Sequence, residues 1–362
     1  MNSIRPLEKK DIPDIVEKLQ HIFLRNAPSR RNLSPDKLTG HFEDILFNNP
    51  WYDPEITSLV SRGKDGKING FLGVVPRPMR LSGQPLRAAV IFYHADSESS
   101  VSLAGAQLLK TFFSGPQDLS LTDAASDIGR RIWGAVGGTQ LPLYSLQWER
   151  IFRPARVAVE ALSRRRMLAP FEGALSPVAN LADSVTNRLF SSHSPPTGNS
   201  YIEEDLDIKI LIESLPLFYP AGALQPVYHE HSLQWIFDQA DQFRSHGELK
   251  KVMVRNAKRE VIGWYLYYVK TGRRCPVLHI AAKKGAMDII LNHLFSHARR
   301  HGVTALYGRV DPKYIHDVAN QHCFFRLGSW TVVHSQNEEL IRLFQLGEAA
   351  VSRLDGEWIS QF

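Results

Sequence analysis

His94 and Asp96 stand two residues apart at the end of the apolar run Ala88–Ala95, which reads as a strand. Alternation puts both on one face of that strand and Tyr93 on the other. An imidazole and a carboxylate can take up and return protons. Directly after them comes Asp96-Ser-Glu-Ser-Ser-Val-Ser-Leu-Ala-Gly105, a turn of small residues that opens an amphipathic helix. Free backbone N–H groups at such a helix start form a site for an anion. Loops that wrap phosphates usually carry several glycines, and this one has Gly105 alone. Each of these residues also has a plainer reading: His94 as a rim or buried histidine, Asp96 as a turn cap, Tyr93 and Tyr144 as core aromatics. His293, His297 and His301 recur at i, i+4 and i+8 and could bring imidazoles to one metal. No HExxH pattern or acidic ligand accompanies them, so a solvated helix face is the simpler account and no metal is expected.

The elements that would hold these groups follow from the pattern of apolar residues. Ile12, Ile15, Val16, Leu19, Ile22 and Phe23 recur at helical spacing after Asp11, and a second helix is expected over Pro35–Phe47. Thr57–Ser61, a Gly63–Gly66 turn and Ile68–Val75 read as a hairpin, with Pro76 and Pro78 ending the strand. The strand Ala88–Ala95 leads to a helix with Leu108, Leu109, Phe112 and Phe113 on one side. A strand Leu119–Thr122, a helix Asp127–Val136 capped by Gly137-Gly138, and a last strand Leu141–Trp148 complete the first half. In the second half a helix Ser232–Arg244, a hairpin Val252–Val269 and a strand Val277–Ala282 come first. A helix striped by Met287, Ile290, Leu291, Leu294, Phe295 and Ala298 follows, then a strand Ala305–Val310, a helix Lys313–His322 and a strand Trp330–His334. The same α/β order occurs twice, which points to two tandem domains with mixed central sheets flanked by helices.

Of 362 residues 43% are hydrophobic and 22% charged, material for two soluble cores. The expected organisation is a first domain over 1–150, a basic and Pro/Ser-rich linker over 151–213, and a second domain over 214–362. A basic cluster of Arg150, Arg153, Arg156 and Arg164–Arg166 begins at its edge, and the run Ser191–Ser200 lies within it. No apolar run is long enough to span a membrane. The start of the chain has no signal-peptide core, and Cys275 and Cys323 are too few for a disulfide framework, so a cytoplasmic protein is expected. The net charge of +6 is spread along the chain, which argues for an anionic cofactor over nucleic acid.

Several of these stretches resemble the GNAT-type N-acetyltransferase superfamily, whose members bind acetyl-CoA on a mixed sheet splayed after its fourth strand. Ile4-Arg5-Pro6-Leu7 followed by Asp11-Ile12-Pro13 is similar to the start of such a domain, and Ile68–Gly73 to its second and third strands. Ala95–Gly105 falls where the family has its pyrophosphate loop, commonly Arg/Gln-x-x-Gly-x-Gly/Ala, and Ser126–Trp133 with Gly137-Gly138 falls at the following helix. The resemblance covers 1–148, and 215–335 as architecture only. This chain carries Ser100 in place of Arg or Gln, Leu103 in place of the first Gly, and Trp133 where many members have a tyrosine acid. The second half has Ala281-Ala-Lys-Lys-Gly-Ala286 at the matching position, so the cofactor is expected on the first half.

The resemblance implies an acyltransferase that moves an acetyl or other acyl group from acetyl-CoA, used as co-substrate, to the amine of a small molecule or peptide. It gives the oxyanion to the backbone N–H of Ala95 and the pyrophosphate to the amides of Val101, Ser102, Leu103, Ala104 and Gly105, with Tyr93 and Ser100 also at the cofactor. The catalytic base is sought at His94, Asp96 or Glu98, and the spare acid at Tyr144. Two alternatives stand beside this: a non-catalytic binding module on the same fold, and an aminoacyl-tRNA-dependent transferase of cell-wall type. The sequence leaves the acceptor and the oligomeric state open.

Overall fold

The computed structural model describes residues 3–18, 34–96, 103–164, 201–220 and 222–360. Two sheets organise them. The first holds β1 (Ser3–Pro6), β2 (Leu59–Arg62), β3 (Ile68–Leu81), β4 (Gln84–Asp96), β5 (Leu119–Ala125), β6 (Thr139–Gln140), β9 (Gln225–Pro226) and β15 (Trp330–His334). Their order is β1-β2-β3-β4-β5-β15-β6, with β9 on β3. The second holds β7 (Leu146–Ile151), β8 (Ile202–Asp205), β10 (Glu248–Arg255), β11 (Val261–Val269), β12 (Arg274–Ala282), β13 (Ala305–Arg309) and β14 (Phe324–Leu327), in the order β14-β7-β13-β12-β11-β10-β8. β4 with β5 and β12 with β13 are parallel, and the pairs β1-β2, β2-β3, β3-β4, β3-β9, β5-β15, β15-β6, β7-β13, β12-β11, β11-β10 and β10-β8 are antiparallel. The expectation of two mixed α/β sheets flanked by helices is met.

The chain divides differently from the consecutive halves read from the sequence. One compact unit gathers Met1–Ser145, Tyr219–Phe237 and Leu327–Phe362, and the other Leu146–Phe218 and Asp238–Arg326. Each sheet takes a strand from the other half of the chain: β15 lies between β5 and β6, and β7 between β13 and β14. The expected strand Leu141–Trp148 is therefore two elements. Pro142–Ser145 is a short helix opened by its proline, and the strand begins at Leu146, where it pairs with β13. The Pro/Ser-rich run 191–200 lies outside the described residues.

In the first unit, alternate residues of β4 serve two cores. Ala89 and Ile91 join the helix Leu103–Phe113 through Leu108, Leu109, Phe112 and Phe113, while Ala88 and Val90 join Leu119, Leu121, Val333 and Phe344. The strand β3 runs on through Pro76 and Pro78 to Leu81, against expectation. The reason is which edge their nitrogens face. Val74 exchanges backbone bonds with the Ser58 hydroxyl, and the Pro78 carbonyl accepts from Val227, so alternation turns 74, 76 and 78 away from β4 and the missing donors cost no ladder bond. The helix Asp127–Ala135 ends as the sequence indicates: Gly137 has φ 97°, and Gly138 N–H reaches the Trp133 carbonyl at 2.7 Å. Trp133 itself is buried against Phe113, with ring centroids 5.0 Å apart.

The second unit buries the stripe of its helix Met287–Arg300 on β10–β12, through Met287, Ile290, Leu291, Leu294, Phe295 and Ala298. The expected helix Lys313–His322 is a 3-10 turn Pro312–Tyr314 followed by the helix Ile315–Asn320. Cys275 and Cys323 are free and buried. No helix among the described residues is long and apolar enough to cross a membrane.

Candidate active site

β4 and β5 lie side by side for three residues only, Ala88–Val90 against Leu119–Leu121, and then part. Residues 91–96 of β4 and 122–125 of β5 thus border a wedge, because each strand has lost the neighbour that would take its backbone groups. A bulge falls on the β4 side of it. The register with β3 passes from Gly73↔Phe92 to Leu72↔His94, so Tyr93 is an extra residue. Val74 faces away from β4, so Phe71 and Gly73 face it, and their partners Ala95 and Phe92 point their backbone groups back at β3. Tyr93 and His94 lie between these two pairs, and the Phe92 carbonyl, directed at β3, turns the Tyr93 N–H of the same planar peptide toward the wedge. The register gives the amide of Ala95 to β3, so the N–H groups open to the wedge lie within the bulge, at Tyr93 and His94.

The remaining site residues are placed unevenly. Tyr93, His94, Ala95 and Asp96 belong to β4, and Leu103, Ala104 and Gly105 to the first turn of the helix Leu103–Phe113, so the expected strand and helix are both present. Glu98, Ser100, Val101 and Ser102 lie outside the described residues. Tyr144 is not on a strand beside the wedge: it is buried in the helix Pro142–Ser145, its hydroxyl donating to the Ala349 carbonyl at 2.8 Å and accepting from Ala349 N–H at 3.2 Å. A phenol so held ties down the C-terminal segment and has no proton to offer a leaving group.

What the sequence reading missed is the group on the β5 side. The segment Ser352–Ser360 returns to β4 and β5 and sets Glu357 against the parted edge of β5. The Glu357 carboxylate accepts from the Thr122 hydroxyl and from the N–H groups of Asp123 at 3.2 Å and Ala124 at 3.0 Å. Its own N–H donates to Asp123 Oδ1 at 2.7 Å. Burial first, and the neighbouring Asp123 carboxyl second, push the Glu357 carboxyl up to about 8, and the donors from β5 oppose that only in part. Two buried acids therefore meet in the wedge. The only sequence signal was the acidic-aromatic Asp355-Gly356-Glu357-Trp358, and nothing in it gives the partner strand.

Further along the same segment Asp355 accepts from the Tyr228 hydroxyl, and Arg77 donates to the Leu354 carbonyl. The Arg77 guanidinium lies 4.0 Å from the Trp51 ring centre and 3.9 Å from Asp355. Gly356 is required here, since a Cβ would collide with the Asp123 carboxylate.

The second unit repeats the backbone arrangement. β12 pairs with β13 over Arg274–Pro276 and then leaves it, and a bulge follows at Leu278. Its wedge is closed by the Tyr314 hydroxyl, which donates to the Ala282 carbonyl at 3.1 Å. The turn into the helix is Lys283-Lys-Gly-Ala286, with Gly285 at φ 79° and Ala286 N–H on the Lys283 carbonyl. The three histidines of that helix are each engaged. His293 Nδ1 meets Glu203 at 2.8 Å, His297 Nδ1 meets the Tyr267 hydroxyl at 2.6 Å, and the His301 ring stacks 4.3 Å from His297. Burial holds His297 down at about 4. Among the described residues no group of three or more His, Cys, Asp or Glu side chains could hold a metal ion.

No family model matches the chain, and no curated protein does. Solved structures do. A GCN5-related N-acetyltransferase from Anabaena variabilis aligns at a TM-score of 0.58 and 11% identity, over 93% of this chain and 74% of its own. A probable N-acyltransferase from Enterococcus faecalis, of unknown function, aligns at 0.57 and 12%, over 92% and 73%. The N-myristoyltransferase of Saccharomyces cerevisiae with bound myristoyl-CoA aligns at 0.51 and 9%, over 92% and 77%. The chain thus has the fold of the GCN5-related N-acetyltransferases, in tandem, with acyltransferases as its structural neighbours.

Proposed function

We propose that the first unit transfers an acyl group from a coenzyme A thioester to an amine, with acetyl-CoA as the donor. The observation that carries this reading is the wedge: a strand that parts from its parallel neighbour after three residues, bulges at Tyr93, and feeds the helix Leu103–Phe113. Such a wedge admits a pantetheine-like chain as a surrogate strand, and the helix start offers N–H groups and a dipole to its phosphates. The structural neighbours support the same class of donor, one of them holding an acyl-CoA.

The reaction asks for three things: an acceptor nitrogen free of its proton, stabilisation of the thioester oxygen as it gains charge, and departure of the thiolate. The oxyanion donor is a backbone N–H of the bulge, at Tyr93 or His94, since the register leaves Ala95 on β3. Amides over 101–105 bind the pyrophosphate, an interaction that does not depend on Ser100 or Leu103 supplying the family's side chains. His94 and Asp96 handle protons at the end of β4. The proton for the thiolate comes from the acceptor nitrogen by way of these groups, with Tyr144 excluded by its bonds to Ala349.

A thermal-shift titration with acetyl-CoA tests the reading, because a ligand that binds the native state alone raises the melting temperature. A saturable rise is expected, followed by release of free thiol when an amine is added. No rise at millimolar acetyl-CoA would sink it.

A further inference from the structure

We infer that the second unit carries a phosphate-binding site at the end of β7, formed by Arg150 and Arg299 with the start of the helix Pro154–Arg164, and that its ligand is a phosphate monoester. The site does not depend on the acyl-transfer reading, and it lies away from the second wedge. Phe152, at its centre, stands beside Thr304, before the stretch Ala305–Tyr307 that pairs with β12, whereas the wedge opens after that stretch.

Three features meet there, and each is unfavourable without an anion. Two guanidinium groups rest on a pair of packed rings: Arg299 lies 5.1 Å from the Phe152 ring centre and Arg150 5.9 Å from that of Phe295, and the two ring centres are 5.8 Å apart. Among the described residues no acidic side chain acts on either cation. Glu149, next to Arg150 in the chain, is held instead by Arg274 Nε at 2.8 Å and Nη2 at 2.7 Å. Burial pulls both guanidinium groups below their ordinary range, and the Arg150 charge pulls Arg299 further. The second feature is an orphaned donor. Arg150 Nη1 donates to the His322 carbonyl at 3.0 Å, while its Nε is buried and has no hydrogen-bond partner among the described residues. The third is the helix itself, which starts two residues after Phe152 with no acid in its first turn. Arg153 holds the cap position, its carbonyl accepting from Val157 N–H at 3.1 Å, and its side chain has no acceptor to offer the first turn. Arg156 follows within that turn, so two cations stand at the positive end of the dipole, where acids are favoured. The fold accounts for one of these charges only: Arg299 gains from the C-terminal end of its own helix, Met287–Arg300.

The chemistry selects the ligand. A phosphate monoester carries close to two negative charges at neutral pH and three terminal oxygens, enough to meet two guanidinium groups and a helix start together. Planar guanidinium donors match phosphate oxygens in pairs. A carboxylate brings one charge and two oxygens, and a phosphodiester brings one charge, so either leaves the like-charged arginines partly uncompensated. A nucleic acid would gain its affinity from many phosphates along a groove, whereas these cations converge on one point.

Isothermal titration of the full chain at constant ionic strength, with chloride as the reference anion, tests the site. Inorganic phosphate and glycerol 3-phosphate are expected to bind saturably, and Arg299→Gln and Arg150→Gln each to weaken that binding by about 10- to 100-fold. Arg299 is exposed, so its variant folds. In phosphate-free buffer Arg299→Gln should melt no lower than the wild type, because a like-charge contact is gone, and phosphate should raise the melting temperature of the wild type more than that of the variant. Vesicles of phosphatidic acid in phosphatidylcholine present the same monoester on a membrane, with phosphatidylcholine alone as control. Capture on the first vesicles alone, lost in Arg299→Gln, assigns the ligand to a lipid headgroup; glycerol 3-phosphate binding without capture assigns it to a soluble molecule. Saturable binding of none of the three probes would overturn the site, and so would binding that both substitutions leave at wild-type strength.

Discussion

In both units a strand leaves its parallel neighbour after three paired residues, Ala88–Val90 in the first and Arg274–Pro276 in the second, and bulges shortly afterwards, at Tyr93 and at Leu278. The edges of the two wedges carry different groups. The first receives a returning segment whose contacts are made by Arg77, Asp355, Asp123 and Glu357, and the second is closed by one phenol, Tyr314 on Ala282. Charged groups are costly to bury and a neutral hydrogen bond is cheap. The backbone arrangement is common to both units, and the charged returning segment is what sets the first apart.

The largest expected effect comes from breaking the ionic anchor of the first wedge. Arg77 is 4% exposed, and burial pulls its guanidinium below its ordinary range despite Asp355. Arg77→Leu leaves Asp355 buried without its cation, held only by the neutral donors Tyr228 and Ser352, and removal of one member of such a pair costs about 3–5 kcal/mol. Chemical denaturation should show that loss, with much of it recovered in Arg77→Leu combined with Asp355→Leu. A cost below about 1 kcal/mol would mean that the segment is held by packing alone, and the contrast between the wedges would shrink to geometry.

Next in size is a pH effect confined to the first wedge. The folded-state value of Glu357, about 8, lies above its ordinary carboxyl range. The unfolded chain gives up that proton first, so native stability falls as pH rises from the ordinary carboxyl range to about 8. Glu357→Gln removes the slope. The variant should be the more stable protein at pH 8, by on the order of 3 kcal/mol, and nearly equal to the wild type at pH 4. Melting curves across that range decide it.

Ligand binding sharpens the comparison at a similar scale. Acetyl-CoA at about 100 times its dissociation constant stabilises the unit that binds it by about 2.7 kcal/mol. Lys283→Ala with Lys284→Ala, in the turn of the second unit, should leave that stabilisation intact, and its loss would move the cofactor to the second wedge. How far sequence reasoning reached can be judged at these same places. The strand-turn-helix order from Ala88 to Gly138 was legible because each element is periodic and its caps are local, as Gly137-Gly138 shows. The exchange of β7 and β15 was not, since a strand's pattern says that it is buried and not beside which partner. The bulge at Tyr93 shifts the register at the end of β4 by one residue, with no compositional trace. Glu357 reaches Thr122 across 235 positions of chain, so only the folded structure brings it to the wedge.

The smallest effect belongs to the neutral closure. Tyr314→Phe removes one hydrogen bond to the Ala282 carbonyl and keeps the ring, so about 1 kcal/mol is expected at most. Burial first, and Asp311 second, raise the Tyr314 hydroxyl above its ordinary value, so the phenol stays neutral and the cost should not change with pH across the neutral range. Neither acetyl-CoA binding nor transfer should respond, because the second wedge is assigned no ligand. Denaturation at two pH values together with one acetyl-CoA titration covers all three expectations. A loss of transfer in Tyr314→Phe would make the second wedge a working part of the reaction and would remove the distinction on which the other three experiments turn.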